Sequence, residues 1–135
     1  MLKYLLLCVF LSHLLTVQSQ DTTRYKTGTI KSIGAIDDKG KSGIWKYFYP
    51  NGELLAEESH SRGNLHGEVT YYNDQGQLIG VENWNQGLLE DSASYFYGNG
   101  QVEKTGRYNN GQYIGIWKFY HKNGHHINNR NGCCF

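Results

Sequence analysis

The residues best suited to chemistry lie near the end of the chain. Thiolate and imidazole groups bind zinc, and structural sites use them at short spacings. The usual gap between paired ligands is missing here, however, and adjacent residues of a strand point to opposite faces. The sequence therefore predicts no metal site, and in an oxidising compartment the adjacent cysteines are expected to stay free or to link chains. The cluster consists of His121, His125, His126, Cys133 and Cys134.

No arrangement of residues in the chain indicates catalysis. The sequence holds no nucleophile elbow, no phosphate-binding glycine loop and no His-Glu-x-x-His zinc motif. Carboxylates occur singly or as Asp37-Asp38, Glu57-Glu58 and Glu90-Asp91, next to turns or on solvated strand faces, which does not favour a glycosidase pair. We predict no catalytic residue and no cofactor. A metal-dependent enzyme of the cell envelope is the remaining enzymatic alternative.

Charge narrows the range of partners. Lys and Arg number 13 against 12 Asp and Glu, without a basic cluster. A nearly neutral balance argues against nucleic acid, and it gives no support to contact with a membrane surface. Eleven tyrosines and three tryptophans in 135 residues favour strands and amphipathic surfaces.

The N-terminus is typical of a secretory signal peptide. Lys3 precedes a short apolar run that ends at Leu15, and small residues follow. Val17 and Ser19 occupy the positions three and one before a cut between Ser19 and Gln20. The run is short for a membrane span, although an uncleaved N-terminal anchor is the alternative. We therefore expect an exported protein, in the periplasm, in the envelope or secreted.

A repeat of 24 residues organises the rest of the chain. Such a period indicates a repeat architecture. It divides the chain into a signal peptide (1–19), an N-terminal half repeat (20–42), repeat 1 (43–66), repeat 2 (67–90), repeat 3 (91–114), and repeat 4 with a C-terminal tail (115–135). One glycine series follows the aromatic runs, a second lies eleven residues further on, and both are predicted turns. They are Gly52, Gly76, Gly100 and Gly124, then Gly63, Gly87 and Gly111.

Each repeat is predicted to be a β-hairpin. Asn-Gly between two aromatic or β-branched runs favours a two-residue type I′ turn, with positive φ at both residues. Such a turn at Asn51-Gly52 places Tyr49 opposite Leu54, Phe48 opposite Leu55, Tyr47 opposite Ala56, Lys46 opposite Glu57 and Trp45 opposite Glu58. Lys46 and Glu57 are then a cross-strand ion pair.

The hairpins predict an all-β fold, namely an elongated, twisted, single-layer antiparallel meander of about nine strands with almost no helix after Gln20. Aromatic ladders lie on both faces, so neither face is expected to be purely polar; the alternative is a compact barrel or sandwich, whose strands would have one consistently apolar and one consistently polar face. Ala56, Gly80 and Lys104 fall between the rungs of the first ladder. That ladder is Tyr47, Tyr71, Tyr95 and Phe119, and the second is Phe48, Tyr72, Phe96 and Tyr120.

The repeat resembles the MORN repeat (membrane occupation and recognition nexus), most closely the variant of the bacterial YwqK-like antitoxin components. The resemblance spans about Tyr25 to Gly124 and implies a hairpin array that binds proteins and sometimes lipids, without chemistry of its own. Asp91 departs from the pattern because it stands where other units open with glycine. The motif is carried by Gly43, Trp45, Phe48, Gly52 and Gly63; Gly67, Tyr71, Tyr72, Gly76, Trp84 and Gly87; Tyr95, Phe96, Gly100, Tyr108 and Gly111; and Gly115, Trp117, Phe119, Tyr120 and Gly124.

Taken together, the sequence predicts a non-catalytic, exported module whose partner is another protein. Exposed aromatic area is typical of interface cores, so the predicted docking residues are Trp45, Tyr47, Tyr71, Tyr95, Trp117 and Phe119. The alternative is an antitoxin or immunity protein that neutralises a partner toxin. An envelope component is the other kind of protein partner that we expect.

Overall fold

The structure, a computed structural model, describes residues 19–131 of the chain. Almost all of the predicted signal peptide and both C-terminal cysteines lie outside the described residues. Within them there is no helix, as predicted, and hence none long and apolar enough to cross a membrane.

Residues 19–131 form ten strands in a single sheet, in which each strand pairs antiparallel with the next along the chain. This confirms the open meander, and a sandwich or barrel is wrong. The count is ten instead of about nine because a strand also forms before Tyr25. The strands are β1 (Ser19–Arg24), β2 (Ile30–Asp37), β3 (Gly40–Phe48), β4 (Leu54–Ser61), β5 (Asn64–Tyr72), β6 (Leu78–Asn85), β7 (Leu88–Phe96), β8 (Val102–Asn109), β9 (Gln112–Tyr120) and β10 (His126–Asn131).

The turn between β3 and β4 lies where it was predicted, but its type was predicted wrongly. Gly52 N donates to Tyr49 O at 2.9 Å, and Tyr49 N donates to Glu53 O at 2.8 Å, so the loop has three residues. Gly52 has φ 92°, whereas Asn51 has no positive φ. The same loop recurs at Gly76, Gly100 and Gly124 without a proline, so it does not depend on Pro50; in each case a type I turn is followed by a glycine with positive φ that completes a bulge.

Two-residue turns of the predicted type join the hairpins to one another instead. Ser61 pairs directly with Asn64, and both residues between them have positive φ, as a type I′ turn requires. The same geometry recurs 24 and 48 residues later. The turns are Arg62-Gly63 (φ 54° and 81°), Gln86-Gly87 (49° and 83°) and Asn110-Gly111 (49° and 79°).

The register between β3 and β4 was predicted correctly except beside the turn. Trp45 pairs with Glu58, Lys46 with Glu57 and Tyr47 with Ala56. A β-bulge then shifts the register, so Phe48 pairs with Leu54; the predicted pairs Phe48 with Leu55 and Tyr49 with Leu54 are wrong. The observed loop is one residue longer than the predicted turn. The β-bulge takes up this extra residue, so the residues beyond it pair as predicted.

One face of the sheet, here called the aromatic face, forms the core. It carries two rows of side chains that cross the strands, and five of the six buried hydrophobic residues belong to them. The face also carries Glu58, Glu82 and Lys104, so it is not consistently apolar, and small residues let the large rings lie over neighbouring strands. The rows are Gly34, Trp45, Glu58, Val69, Glu82, Ala93, Gly106 and Trp117, and Ser32, Tyr47, Ala56, Tyr71, Gly80, Tyr95, Lys104 and Phe119.

Candidate functional site

Trp45 and Trp117 lie at corresponding positions of the first and last repeats, and both are buried. Trp45 is 2% exposed and Trp117 is 1% exposed. Their indole Nε1 atoms donate to backbone oxygens of the preceding strand, Trp45 to Ala35 O at 2.9 Å and Trp117 to Arg107 O at 3.1 Å. Of the predicted docking residues, these two therefore contribute packing and hydrogen bonding, and they offer no accessible surface for a partner.

The other four predicted docking residues form a ladder on the aromatic face. Residue pairing runs from Tyr47 through Ala56, Tyr71, Gly80, Tyr95 and Lys104 to Phe119. All four rings are half-buried, so each keeps an accessible edge. Lys104 Nζ lies 4.3 Å from the centroid of the Tyr95 ring, within range of a cation–π contact.

A buried carboxylate holds the two central rungs. Glu82 is only 8% exposed. Tyr71 Oη donates to its Oε2 at 3.0 Å and Tyr95 Oη donates to its Oε1 at 2.5 Å, while Trp84 Nε1 also donates to Oε2, at 3.1 Å. Three donors thus satisfy a charge that is otherwise costly to bury. The sequence analysis missed Glu82, although the 24-residue period places it on the row that contains Trp45 and Glu58.

Burial and these hydrogen bonds change the acidity of the ladder. Burial is the main cause that raises the pKa of Tyr71 and Tyr95 well above the usual value, and their bonds to Glu82 add to the effect. Burial likewise raises the pKa of Tyr108, which lies beside Tyr95, to about 12. Tyr71 and Tyr95 therefore keep their protons at physiological pH and donate them in hydrogen bonds to Glu82.

The first rung, Tyr47, is held by charged neighbours instead. Lys41 Nζ donates to Tyr47 Oη and lies 4.4 Å from the centroid of the Trp45 ring. Burial, followed by a hydrogen bond to Glu58, raises the pKa of Tyr47. Glu58 Oε2 in turn lies 2.8 Å from His60 Nε2, within hydrogen-bond distance.

The opposite face, which also carries the second ladder, bears the predicted cross-strand ion pair. Lys46 Nζ lies 2.8 Å from Glu57 Oε1, and the hydrogen bond to Glu57 raises the pKa of Lys46. A second pair joins Arg107 to Asp91 at 2.9 Å. Asp91, which replaces the opening glycine, has φ 62°, so it keeps the backbone conformation of the glycines at the same position.

A third arrangement, missed by the sequence analysis, joins the three-residue loops of successive repeats. A tyrosine at the start of one loop donates its hydroxyl to a backbone oxygen 23 residues later, which links two neighbouring hairpins. The three bonds are Tyr25 Oη to Phe48 O at 2.8 Å, Tyr49 Oη to Tyr72 O at 3.0 Å and Tyr97 Oη to Tyr120 O at 2.9 Å. In the 24-residue register the remaining members of this series are Asn73 and His121, of which His121 starts the last loop.

No cluster of three or more potential metal ligands occurs among the residues that the structure describes. His121 and His125 belong to the last three-residue loop, where His121 N donates to His125 O at 2.8 Å. The two cysteines of the C-terminal cluster, Cys133 and Cys134, lie outside the described residues.

Comparison with known proteins supports the repeat. The family model of the MORN repeat variant matches residues 41–61 and 65–86, which begin in β3 and β5 and end at β4 and just after β6. No curated protein matches the chain. MORN repeats are commonly modules that bind proteins or membranes and are typically not enzymes, a role compatible with the aromatic face described above.

Proposed function

We propose that this chain is a non-catalytic binding module that docks another protein along its aromatic face. The observation that carries the proposal is the ladder of Tyr47, Tyr71, Tyr95 and Phe119, half-buried on a sheet with no second layer within residues 19–131. A sheet normally buries its apolar face against another element. Here the rings are partly covered by their own neighbours, and their outer edges stay available.

The ladder is organised before a partner binds. Ala56 is buried and has only a methyl side chain, and Gly80 has no side chain. Both residues therefore leave room for the rings on either side. Glu82 fixes the hydroxyls of Tyr71 and Tyr95. Rings that lose little conformational freedom on binding give more favourable interfaces, and aromatic residues are enriched in interface cores.

The shape favours a macromolecular partner. Successive rungs lie two strands apart, about 10 Å at the usual strand spacing, so the ladder extends along the sheet. A small metabolite prefers a concave pocket, whereas a row of rings suits an extended protein surface. The balanced charge of 13 basic and 12 acidic side chains fits a partner recognised mainly by aromatic contact.

The proposal is tested by comparing partner recovery by three forms of the protein. The double variant Tyr71→Ser, Tyr95→Ser removes two rungs and is expected to lose the partner that the wild type retains from a native extract. Tyr72→Ser, Tyr120→Ser is the matched control, because it removes two half-buried tyrosine rings from the opposite face of the sheet. Retention by Tyr72→Ser, Tyr120→Ser, with both variants folded by circular dichroism, supports docking on the aromatic face; equal recovery by all three forms contradicts it.

Export is proposed on the pattern of residues 1–19 alone. N-terminal sequencing of the protein purified from its native source tests it, and a mature chain that starts at Gln20 is the expected result. An N-terminus at Met1 in a cytoplasmic fraction contradicts export.

An antitoxin role is the second proposal, and the resemblance to YwqK-like components supports it. Its test is co-expression with a toxic protein encoded beside it. Growth rescued by the wild type but not by Tyr71→Ser, Tyr95→Ser supports neutralisation through the aromatic face. Absence of rescue by the wild type contradicts the antitoxin role and leaves protein docking as the function.

A further inference from the structure

The series of tyrosines that link successive loops is interrupted once, at Asn73. Its side chain turns back into its own loop, since Asn73 Nδ2 donates to Gln77 Oε1 at 2.8 Å and Asn73 Oδ1 accepts from Gln77 N at 2.9 Å. In the register of the other three bonds, the acceptor opposite Asn73 is the backbone oxygen of Phe96. No hydroxyl of the described residues donates to that oxygen.

A groove lies where the missing ring belongs. Its volume is about 400 Å³, and it separates the loop before β6 from the loop before β8. Leu78 and Phe96, both half-buried, supply apolar walls. The groove is lined by Gln77, Leu78, Phe96, Gly98, Asn99 and Gly100.

Glycine at position 98 widens the groove. The equivalent residues of the other loops are Lys26, Pro50, Asp74 and Lys122, all of which carry a side chain. A Cβ on Gly98 would contact Gln77 Oε1 at 3.1 Å and Asn73 Nδ2 at 3.7 Å, so any larger residue there would approach the same space. Two departures from the repeat, at Asn73 and Gly98, therefore coincide at one site.

We propose that this groove binds a tyrosine side chain of the partner protein. The proposed contact is the one that the other three junctions of the sheet already make. At each of them a tyrosine ring links two loops, and its hydroxyl donates to a backbone oxygen. A tyrosine from a partner makes the equivalent bond to Phe96 O. The proposal rests on the proposed protein-binding function and adds a second contact, at the loop edge of the sheet.

The occupant must be both aromatic and a donor. The apolar walls select a ring, and the Phe96 oxygen selects a hydroxyl over a plain phenyl group. A phenylalanine would leave that oxygen without its donor, which lowers affinity by roughly two- to tenfold for one neutral hydrogen bond. An anionic group is disfavoured, because the recognising atom is itself an acceptor.

The test uses N-acetyltyrosine amide as the probe and follows backbone amide shifts of the full chain by NMR. We expect saturable shifts around Leu78, Phe96 and Gly100 with a dissociation constant in the millimolar range, as expected for so small a ligand. N-acetylphenylalanine amide is expected to bind two- to tenfold more weakly. The variant Asn73→Tyr is expected to fill the groove with its own ring and to weaken probe binding at least tenfold, whereas Asn73→Ala leaves the groove open and keeps binding.

A thermal melt controls for folding. Asn73→Tyr is expected to melt above the wild type, because it restores a bond present at the other three junctions. A lower melting temperature, equal affinity for the two probes, or binding unchanged by Asn73→Tyr overturns the proposal. The Tyr71→Ser, Tyr95→Ser variant keeps the groove, so probe binding by that variant separates a failure of ladder docking from a failure of the groove.

Discussion

The indole of Trp117 lies directly over Gly106 on the neighbouring strand. A Cβ on that glycine would lie 2.3 Å from Trp117 Cδ2, closer than real atoms approach. Gly34 and Trp45 repeat the arrangement with the same 2.3 Å distance. A large ring thus covers bare backbone at both ends of the aromatic face, which explains how a single sheet buries two tryptophans.

Replacing Gly106 by Ala should therefore destabilise the protein. The added methyl group collides with the indole and should reduce the free energy of unfolding by about 1–3 kcal/mol, the usual cost of overpacking. Urea unfolding measures the change. Gly98→Ala is the control, since its nearest neighbour is the flexible end of Gln77, and it should stay within about 0.5 kcal/mol of the wild type. Equal effects of the two variants would contradict the stacking.

The type I′ turns predict that two substitutions change the free energy of unfolding in opposite directions. Gln86 and Asn110 occupy the same turn position, each with φ 49°, and asparagine tolerates this conformation better than glutamine. Gln86→Asn should raise the free energy of unfolding by about 0.5–1 kcal/mol and Asn110→Gln should lower it by a similar amount. Changes of the same sign would show that the backbone conformation does not decide stability here.

Glu82 should be important for stability despite being a buried acid. Glu82→Ala leaves the hydroxyls of Tyr71 and Tyr95 and the indole of Trp84 without their acceptor, and the loss should exceed about 2 kcal/mol, as expected for bonds to a charged group. Glu68→Ala, an exposed acid on the adjacent strand, is the control and should change stability little. Chemical denaturation of the two variants side by side provides the comparison.

Stability should fall in alkali. Because burial raises the pKa of Tyr108 to about 12, the unfolded chain, with tyrosine pKa values near 10, loses protons before the folded one does. The folded state then binds more protons, so the free energy of unfolding decreases as pH rises from about 10 to 12. Tyr95→Phe removes another tyrosine of raised pKa and should make this decrease shallower. A stability that stays constant up to pH 11 would contradict the assignment.

The register and topology could be predicted because glycines at a fixed period leave little freedom to a chain of hairpins. The pairing of Trp45 with Glu58 was predicted from a two-residue turn at Asn51-Gly52, and it is found because the bulge beside the three-residue loop restores the register. The type of the loop at Asn51-Gly52 was predicted wrongly, because Asn-Gly also fits the last two positions of a three-residue loop, in which only the glycine has a positive φ.

Burial was harder to predict than pairing. The sequence shows that Trp45 and Tyr47 share a face, but only the positions of Gly34 and Glu82 across the sheet decide which rings are covered. The interruption at Asn73 was visible in the sequence, since Tyr25, Tyr49 and Tyr97 occupy the same register position. That this interruption leaves a backbone oxygen without a tyrosine donor could be seen only from the hydrogen bonds that those tyrosines make.

The sequential order of the sheet affects how this protein can change in length. All extensive contacts between strands join elements that follow each other in the chain, so the stability of such an array is close to a sum of unit and nearest-neighbour contributions. Duplicating one 24-residue unit should therefore add a hairpin without disturbing the others. The length of the aromatic face, and with it the span of partner that it can contact, is then free to vary in steps of one repeat.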